Sequence, residues 1–119
     1  MANFKGAESI TMPVAAATVL AQYRFVGVDN QGRIGYPAAN AAILGVTLSD
    51  SPASNDLAVP VAIRNGGVVK VECHEDITAG AHVNIEVNTG KAGAGSASDT
   101  VGIALETGAD GRIIQVALI

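Results

Sequence analysis

The feature that most constrains this chain is its choice of branched apolar side chains, fourteen Val and ten Ile against six Leu, punctuated by Gly or Asn-Gly about every ten residues. Val and Ile are stiff at χ1 and fit a pleated surface better than a helix. Short Val/Ile runs between Gly-containing turns predict an all-β fold, a small β-barrel or β-sandwich of short antiparallel strands. With 119 residues, the chain has the length of one domain.

The pattern divides into an N-terminal arm and a single β domain. Residues 1–15 lack periodicity and contain Pro13, so they are read as an extended arm; residues 16–119 form the domain. The Ala content from Val14 to Gln22 allows one short helix at most, weakened by Thr18 and Val19. Tyr23 to Val28 and Arg33 to Tyr36 flank Asp29-Asn30-Gln31-Gly32, which predicts a first hairpin. Val59, Val61 and Ile63 share a face, Asn65-Gly66-Gly67 offers a tight turn, and Val69, Val71 and Cys73 are expected inward on the returning strand. Asp76 to Ala81 reads as a corner before the alternating run Val83 to Asn88. Gly93 to Asp99 reads as a mobile loop, and Val101 to Glu106 pairs with Arg112 to Ile119 across Ala109-Asp110-Gly111. Adjacent Ile113 and Ile114 suggest a central or covered strand. Leu44-Gly45-Val46-Thr47-Leu48 followed by Val59-Pro60-Val61 echoes Val101-Gly102-Ile103-Ala104-Leu105 followed by Gln115-Val116-Ala117. Either two similar β units share one core or two Gly/Val-rich strands coincide.

Composition bears on what such a domain meets. Charged residues make up 15% of the chain, against about 25% in ordinary soluble domains. With twenty-one Ala and fourteen Gly the surface is smooth and poor in solvating groups, the kind usually covered by partners or by copies of itself. Only two Phe and two Tyr are present, so the core is thin and an oligomer interface is a natural supplement. The net charge is −4 and the seven basic residues are scattered, which argues against nucleic acid. The longest apolar stretch, Val14 to Leu20, is far too short to span a membrane. No run of basic residues precedes an apolar segment at the N-terminus, so no secretory signal is expected, and synthesis in a cytoplasm fits best. Cys73 is the single cysteine and excludes an intrachain disulfide.

A search for reactive groups gives little. Cys73 and His74 are strand neighbours and point to opposite faces, so they form no nucleophile–base pair. His74, Glu75, Asp76 and His82 lack the close convergent spacing of a zinc site, and polar residues at a strand end explain them more simply. Gly93-Ala94-Gly95-Ser96-Ala97-Ser98 begins like a dinucleotide fingerprint but carries Ser98 at the last glycine, with no helix to follow. No catalytic residue, metal or cofactor is expected.

A longer series of residues is more informative. Leu44-Gly45-Val46-Thr47 is followed by Val59-Pro60-Val61, then by Gly67-Val68-Val69-Lys70-Val71 and Ile77-Thr78-Ala79-Gly80-Ala81-His82-Val83. Thr89-Gly90-Lys91, Val101-Gly102-Ile103-Ala104-Leu105-Glu106, Gly111 and Val116-Ala117-Leu118 complete it. In order and spacing the series resembles the phage capsid cement, or head-decoration, proteins of the DUF2190 type, from about Tyr23 to the end. One departure is at Ala81-His82, where those proteins tend to carry Asp and an aromatic.

The resemblance implies a structural protein of the virion that binds the outer surface of an icosahedral head. It implies trimers at three-fold positions, bridging subunits of the major capsid protein and stabilising the shell against internal DNA pressure. Residues expected to touch the capsid or a neighbouring copy are Phe4 and Lys5 of the arm, Ser49, Asp50, Asn55 and Asp56 of one polar loop, and Ser96 and Ser98 of another. A frayed terminus without a role is the alternative for the arm. The rival to a structural role is a small β-barrel binding module for a carbohydrate or host-surface ligand, which would need exposed aromatics among Phe4, Tyr23, Phe25 and Tyr36.

Overall fold

A computed structural model describes residues 9–15, 20–37, 43–50, 58–63, 67–86, 88–98 and 100–119. Ten strands follow in chain order: β1 (Ser9–Pro13), β2 (Phe25–Val28), β3 (Ile34–Gly35), β4 (Ile43–Thr47), β5 (Ala58–Ile63), β6 (Val68–Glu72), β7 (His82–Ile85), β8 (Ala92–Ala94), β9 (Gly102–Ala104) and β10 (Ile113–Leu118). There is no helix among the described residues, and the fold is all-β as expected. The strands form two five-stranded antiparallel sheets, ordered β1-β5-β4-β2-β3 and β6-β10-β9-β7-β8.

The two orders are the same order. Counting five strands on from β1 gives β6, from β5 gives β10, and so on across each sheet. Registers agree as well. Gly45 faces Ile63 while Gly102 faces Leu118, and Ser9 faces Ala62 while Val68 faces Ala117. Each sheet curls until its edges meet in one parallel bridge, Val14 to Ile34 in the first and Cys73 to Ala92 in the second. The same closing hydrogen bond follows each bridge, from the Ala15 N–H to the Ile34 carbonyl (2.9 Å) and from the His74 N–H to the Ala92 carbonyl (2.7 Å). Closure in this way leaves little unpaired edge.

The chain is therefore two lobes on one plan. The sequence echo is real, with its register moved by one: Pro60-Val61-Ala62, and not Val59-Pro60-Val61, corresponds to Gln115-Val116-Ala117. Backbone conformation repeats too. Tyr23 (φ +62°) corresponds to Gly80 (φ +86°), and their N–H groups donate to the carbonyls of Thr47 (2.9 Å) and Ala104 (2.7 Å). A tyrosine is strained in this left-handed region where glycine is not.

Alternation fills each lobe. Val14, Leu20, Val26, Ile34, Val59 and Val61 form the core of the first lobe. Their counterparts Cys73, Ile77, Val83, Ala92, Ile114 and Val116 are buried in the second. In β10, Ile114, Val116 and Leu118 point inward while Ile113 and Gln115 are exposed, so this strand is central but covered on one face only. Phe25, Val46 and Ala62 lie on the outer face of the first lobe and are buried in the second lobe's cluster, which joins the lobes.

Several local expectations need correction. The strands flanking Asn65-Gly66-Gly67 do not pair as a hairpin, because β5 and β6 belong to different sheets; residues 64–66 lie outside the described residues. The segment read as an arm includes β1, an antiparallel partner of β5; residues 1–8 lie outside the described residues. In the stretch read as a possible helix, Val14 is bridged to Ile34 and Leu20 is buried, while 16–19 lie outside the described residues. The loop read as mobile begins as β8, paired with β7 through Val83–Ala94 and Asn84–Gly93. The first and last hairpins are present as β2–β3 and β9–β10. Asp29 closes the first turn, its Oδ1 accepting from the N–H groups of Gln31 and Arg33 (2.9 Å each), which holds its carboxyl below the usual range.

Candidate interaction surfaces

The side chains weighed and set aside as reactive groups from the sequence are placed as strand geometry requires. Cys73 is fully buried, while His74 is half-exposed and its Nε2 faces Glu86 Oε2. Burial pushes the Cys73 thiol up, helped by the negative charge of Glu72, so the nucleophilic thiolate is disfavoured. Among the described residues no group of three or more His, Cys, Asp or Glu could hold a metal ion.

Of the residues expected at the capsid, Phe4, Lys5, Asn55 and Asp56 lie outside the described residues. Asp50 is engaged within the fold: its Oδ1 accepts from the Gln22 N–H (2.7 Å), and Gln22 Nε2 donates to the Leu48 carbonyl (2.9 Å). Ser49 sits in the bend after β4. Ser96 and Ser98 are exposed after β8, with their hydroxyl oxygens 3.2 Å apart. Ser49 and Asp50 thus belong to the first lobe, Ser96 and Ser98 to the second. Of the aromatics a stacking site would use, Phe25 is buried and the Tyr36 hydroxyl accepts from the Ala21 N–H (2.7 Å).

The most developed constellation lies between the lobes, and sequence reasoning did not find it. Arg24 Nη2 meets Glu72 Oε1 at 3.3 Å and Lys91 Nζ meets Glu72 Oε2 at 3.2 Å, while Arg24 Nη1 donates to the Thr89 carbonyl (3.0 Å). The Phe25 N–H donates to the Gly90 carbonyl (2.7 Å) and the Glu72 N–H to the Tyr23 carbonyl (3.0 Å). A Cβ on Gly90 would lie 2.3 Å from the Phe25 carbonyl, so only glycine fits there. Beside these contacts runs a groove whose walls are Tyr23, Leu48 and Ala62 of the first lobe and Val68, Val69 and Lys70 of the second. Chemically this is an adhesive seam in which the Glu72 carboxylate is shared by two cations. The spacing of Arg24, Glu72 and Lys91 in the chain gives no local signal for it.

The exposed large apolar side chains among the described residues are Ile10 (41% exposed), Val28, Leu105 (40%), Ile113 and Ile119. They lie on both lobes, and Leu105, just after β9, falls by alternation on the face of the half-buried Ile103, which pairs with the half-buried Ala117.

No family model matches the chain, and no curated protein matches it. Among solved structures it is similar to the crystal structure of the head fiber gp8.5 N base of bacteriophage phi29. The two share 17% identity and a TM-score of 0.74, over 94% of this chain and 95% of that one. The likeness covers both lobes and establishes a shared fold.

Proposed function

We propose that this chain is a structural decoration, or cement, protein of an icosahedral phage head. It binds the outer surface of the shell as trimers at three-fold positions and stabilises the shell against the pressure of packaged DNA. Its partners are the major capsid protein and other copies of itself, with no role for nucleic acid, membrane, metal or cofactor. On this reading it catalyses no reaction. It is made in the host cytoplasm and resides in the virion.

One observation carries the reading. The whole chain, both lobes included, has the fold of the N base of a phage head fiber, a likeness that supports a phage-head role. The physical character of the surface agrees. Small Ala, Gly and Val side chains lose little rotamer entropy on flat contact, and many such contacts repeated over a shell add up through multivalency. Purified protein added to heads that lack it should bind and raise their disruption temperature. Absence of binding and of any stabilisation would refute the proposal.

A further inference from the structure

The two lobes are built alike, yet their corresponding surfaces are not used alike. On the first lobe, Phe25, Val46 and Ala62 are buried against the second, and Leu48 packs at the edge of the same cluster. Register assigns their counterparts on the second lobe to His82, Ile103, Ala117 and Leu105. There, Leu105 is 40% exposed and the other three are only half-buried.

The covering element has a counterpart as well. Val69 of β6 is 5% exposed in the seam, whereas the matching Ile10 of β1 is 41% exposed. The same holds for the hairpin tips. Gly90, at the tip between β7 and β8, is wedged against Phe25, while its counterpart Gly32, between β2 and β3, has open space around it. Each half of the internal seam is thus present a second time, uncovered, at opposite ends of the chain.

We propose that a second copy of this chain occupies the uncovered face: β1 and the β2–β3 tip of one copy dock on the outer face of the next copy's second lobe, repeating the internal seam between molecules. Leu105, Ile103 and Ala117 receive Ile10, and the His82 amide meets the Gly32 carbonyl as the Phe25 amide meets that of Gly90. The contact joins unlike surfaces and is therefore heterologous, so it closes into a ring or runs on as a filament. This rests on the trimer proposed above and specifies its contact, a ring in which first and second lobes alternate. Parts of the internal seam are not repeated. Register places Pro13 at the position of Glu72 and Ala81 at that of Arg24, so the ion pair and the amide bond of Glu72 have no counterpart. The junction between copies is more apolar than the internal one and, lacking these bonds, is the weaker.

The test uses the full chain and two variants, I10D and L105D, both at exposed positions whose substitution should leave the circular dichroism spectrum unchanged. Sedimentation of the unaltered protein should give an oligomer. Either variant alone should dissociate, with affinity weakened about a hundredfold or more by a carboxylate trapped in an apolar contact. Mixing the two variants should restore one junction, because I10D keeps its receiving face and L105D keeps its β1, and chemical cross-linking should capture that heteromer. A monomeric unaltered protein, unchanged assembly of either variant, or no heteromer in the mixture would overturn the inference. Head binding of the same samples separates the two ideas. Decoration without self-association sinks the junction alone, and the predicted self-association without any head binding sinks the decoration role alone.

Discussion

Gly45 and Gly102 occupy corresponding places in the two lobes, each opposite the last residue of the neighbouring strand, and their substitution tests the close strand approach on which both sheets depend. A Cβ on Gly45 would fall 1.9 Å from the Ala62 carbonyl oxygen, 2.8 Å from its carbon and 3.0 Å from the Ile63 Cα. On Gly102 it would lie 2.5 Å from the Ala117 oxygen and 2.7 Å from Val116 Cγ1. The obstacle at Gly45 is all backbone, so β4 and β5 must part. Overpacking costs about 1–3 kcal/mol, and ladder hydrogen bonds lost near Gly45, at about 1 kcal/mol each, add to it. Gly45→Ala should therefore cost about 4 kcal/mol or more, and Gly102→Ala about 2–3 kcal/mol, because the nearest backbone oxygen stands at 2.5 Å there against 1.9 Å at Gly45 and the next atom, a side-chain methyl, can yield. Gly35 is the control, since a Cβ there meets nothing within 4 Å and its φ is not in the left-handed region. Gly35→Ala should be neutral or stabilising by up to about 1 kcal/mol. Urea unfolding followed by circular dichroism gives all three values, and failure of Gly45→Ala to accumulate as folded protein fits the upper range. A Gly45→Ala protein within about 1 kcal/mol of the original, or ranked below Gly102→Ala, would refute the reasoning.

Other perturbations probe single contacts. Thr47 is fully buried, with its hydroxyl donating to the Ala21 carbonyl (2.7 Å) and accepting from the Arg24 N–H (3.1 Å). Thr47→Val should cost about 2 kcal/mol in urea unfolding by leaving those groups unsatisfied, and an unchanged midpoint would contradict it. Glu72→Ala strips Arg24 and Lys91 of their shared carboxylate in a seam where the Arg24 side chain is 16% exposed. Its Nε is already without a partner. A loss of about 1–2 kcal/mol at low salt, shrinking in 1 M salt, is expected from denaturant midpoints; a salt-independent loss would point to packing instead. Cys73 should react with a thiol reagent only on unfolding. Its folded thiol stays protonated above the ordinary value of 9.0, so above that pH the unfolded chain sheds the proton first and stability falls as pH rises. A flat unfolding midpoint between pH 8 and 10, compared with Cys73→Ala, would contradict this.

The parts of the fold legible in sequence were those set by neighbours in the chain. Asp29 to Gly32 and Ala109 to Gly111 announce their turns, and the flanking strands pair as read. Val69, Val71 and Cys73 point inward because alternation decides face whatever the pairing partner. Partner choice is another matter. Asn65-Gly66-Gly67 has the residues of a tight hairpin, yet β5 bonds to β1 and β4 while β6 bonds to β10, a competition settled far along the chain. β1 gave no periodic signal because Met12 is its only side chain packed toward the core. β8 looked mobile because Ala and Gly favour loops, whereas here Ala92 fits the closed seam of the second sheet, where a larger residue, Ile34, stands in the first. The seam between lobes was invisible since its ionic partners, Arg24, Glu72 and Lys91, converge only after both sheets have closed.

Two halves on one plan also divide the evolutionary constraint. A change at Phe25 must be tolerated by Gly90 inside the same molecule, so that pair can drift only in concert. His82 and Gly32, their equivalents, have no such mutual contact inside one molecule, since a Cβ on Gly32 would meet nothing within 4 Å; on the proposed junction, that pairing is policed by the next copy. Divergence between matched positions in a lineage of such chains would then serve as a record of the external partner, legible without ever isolating it.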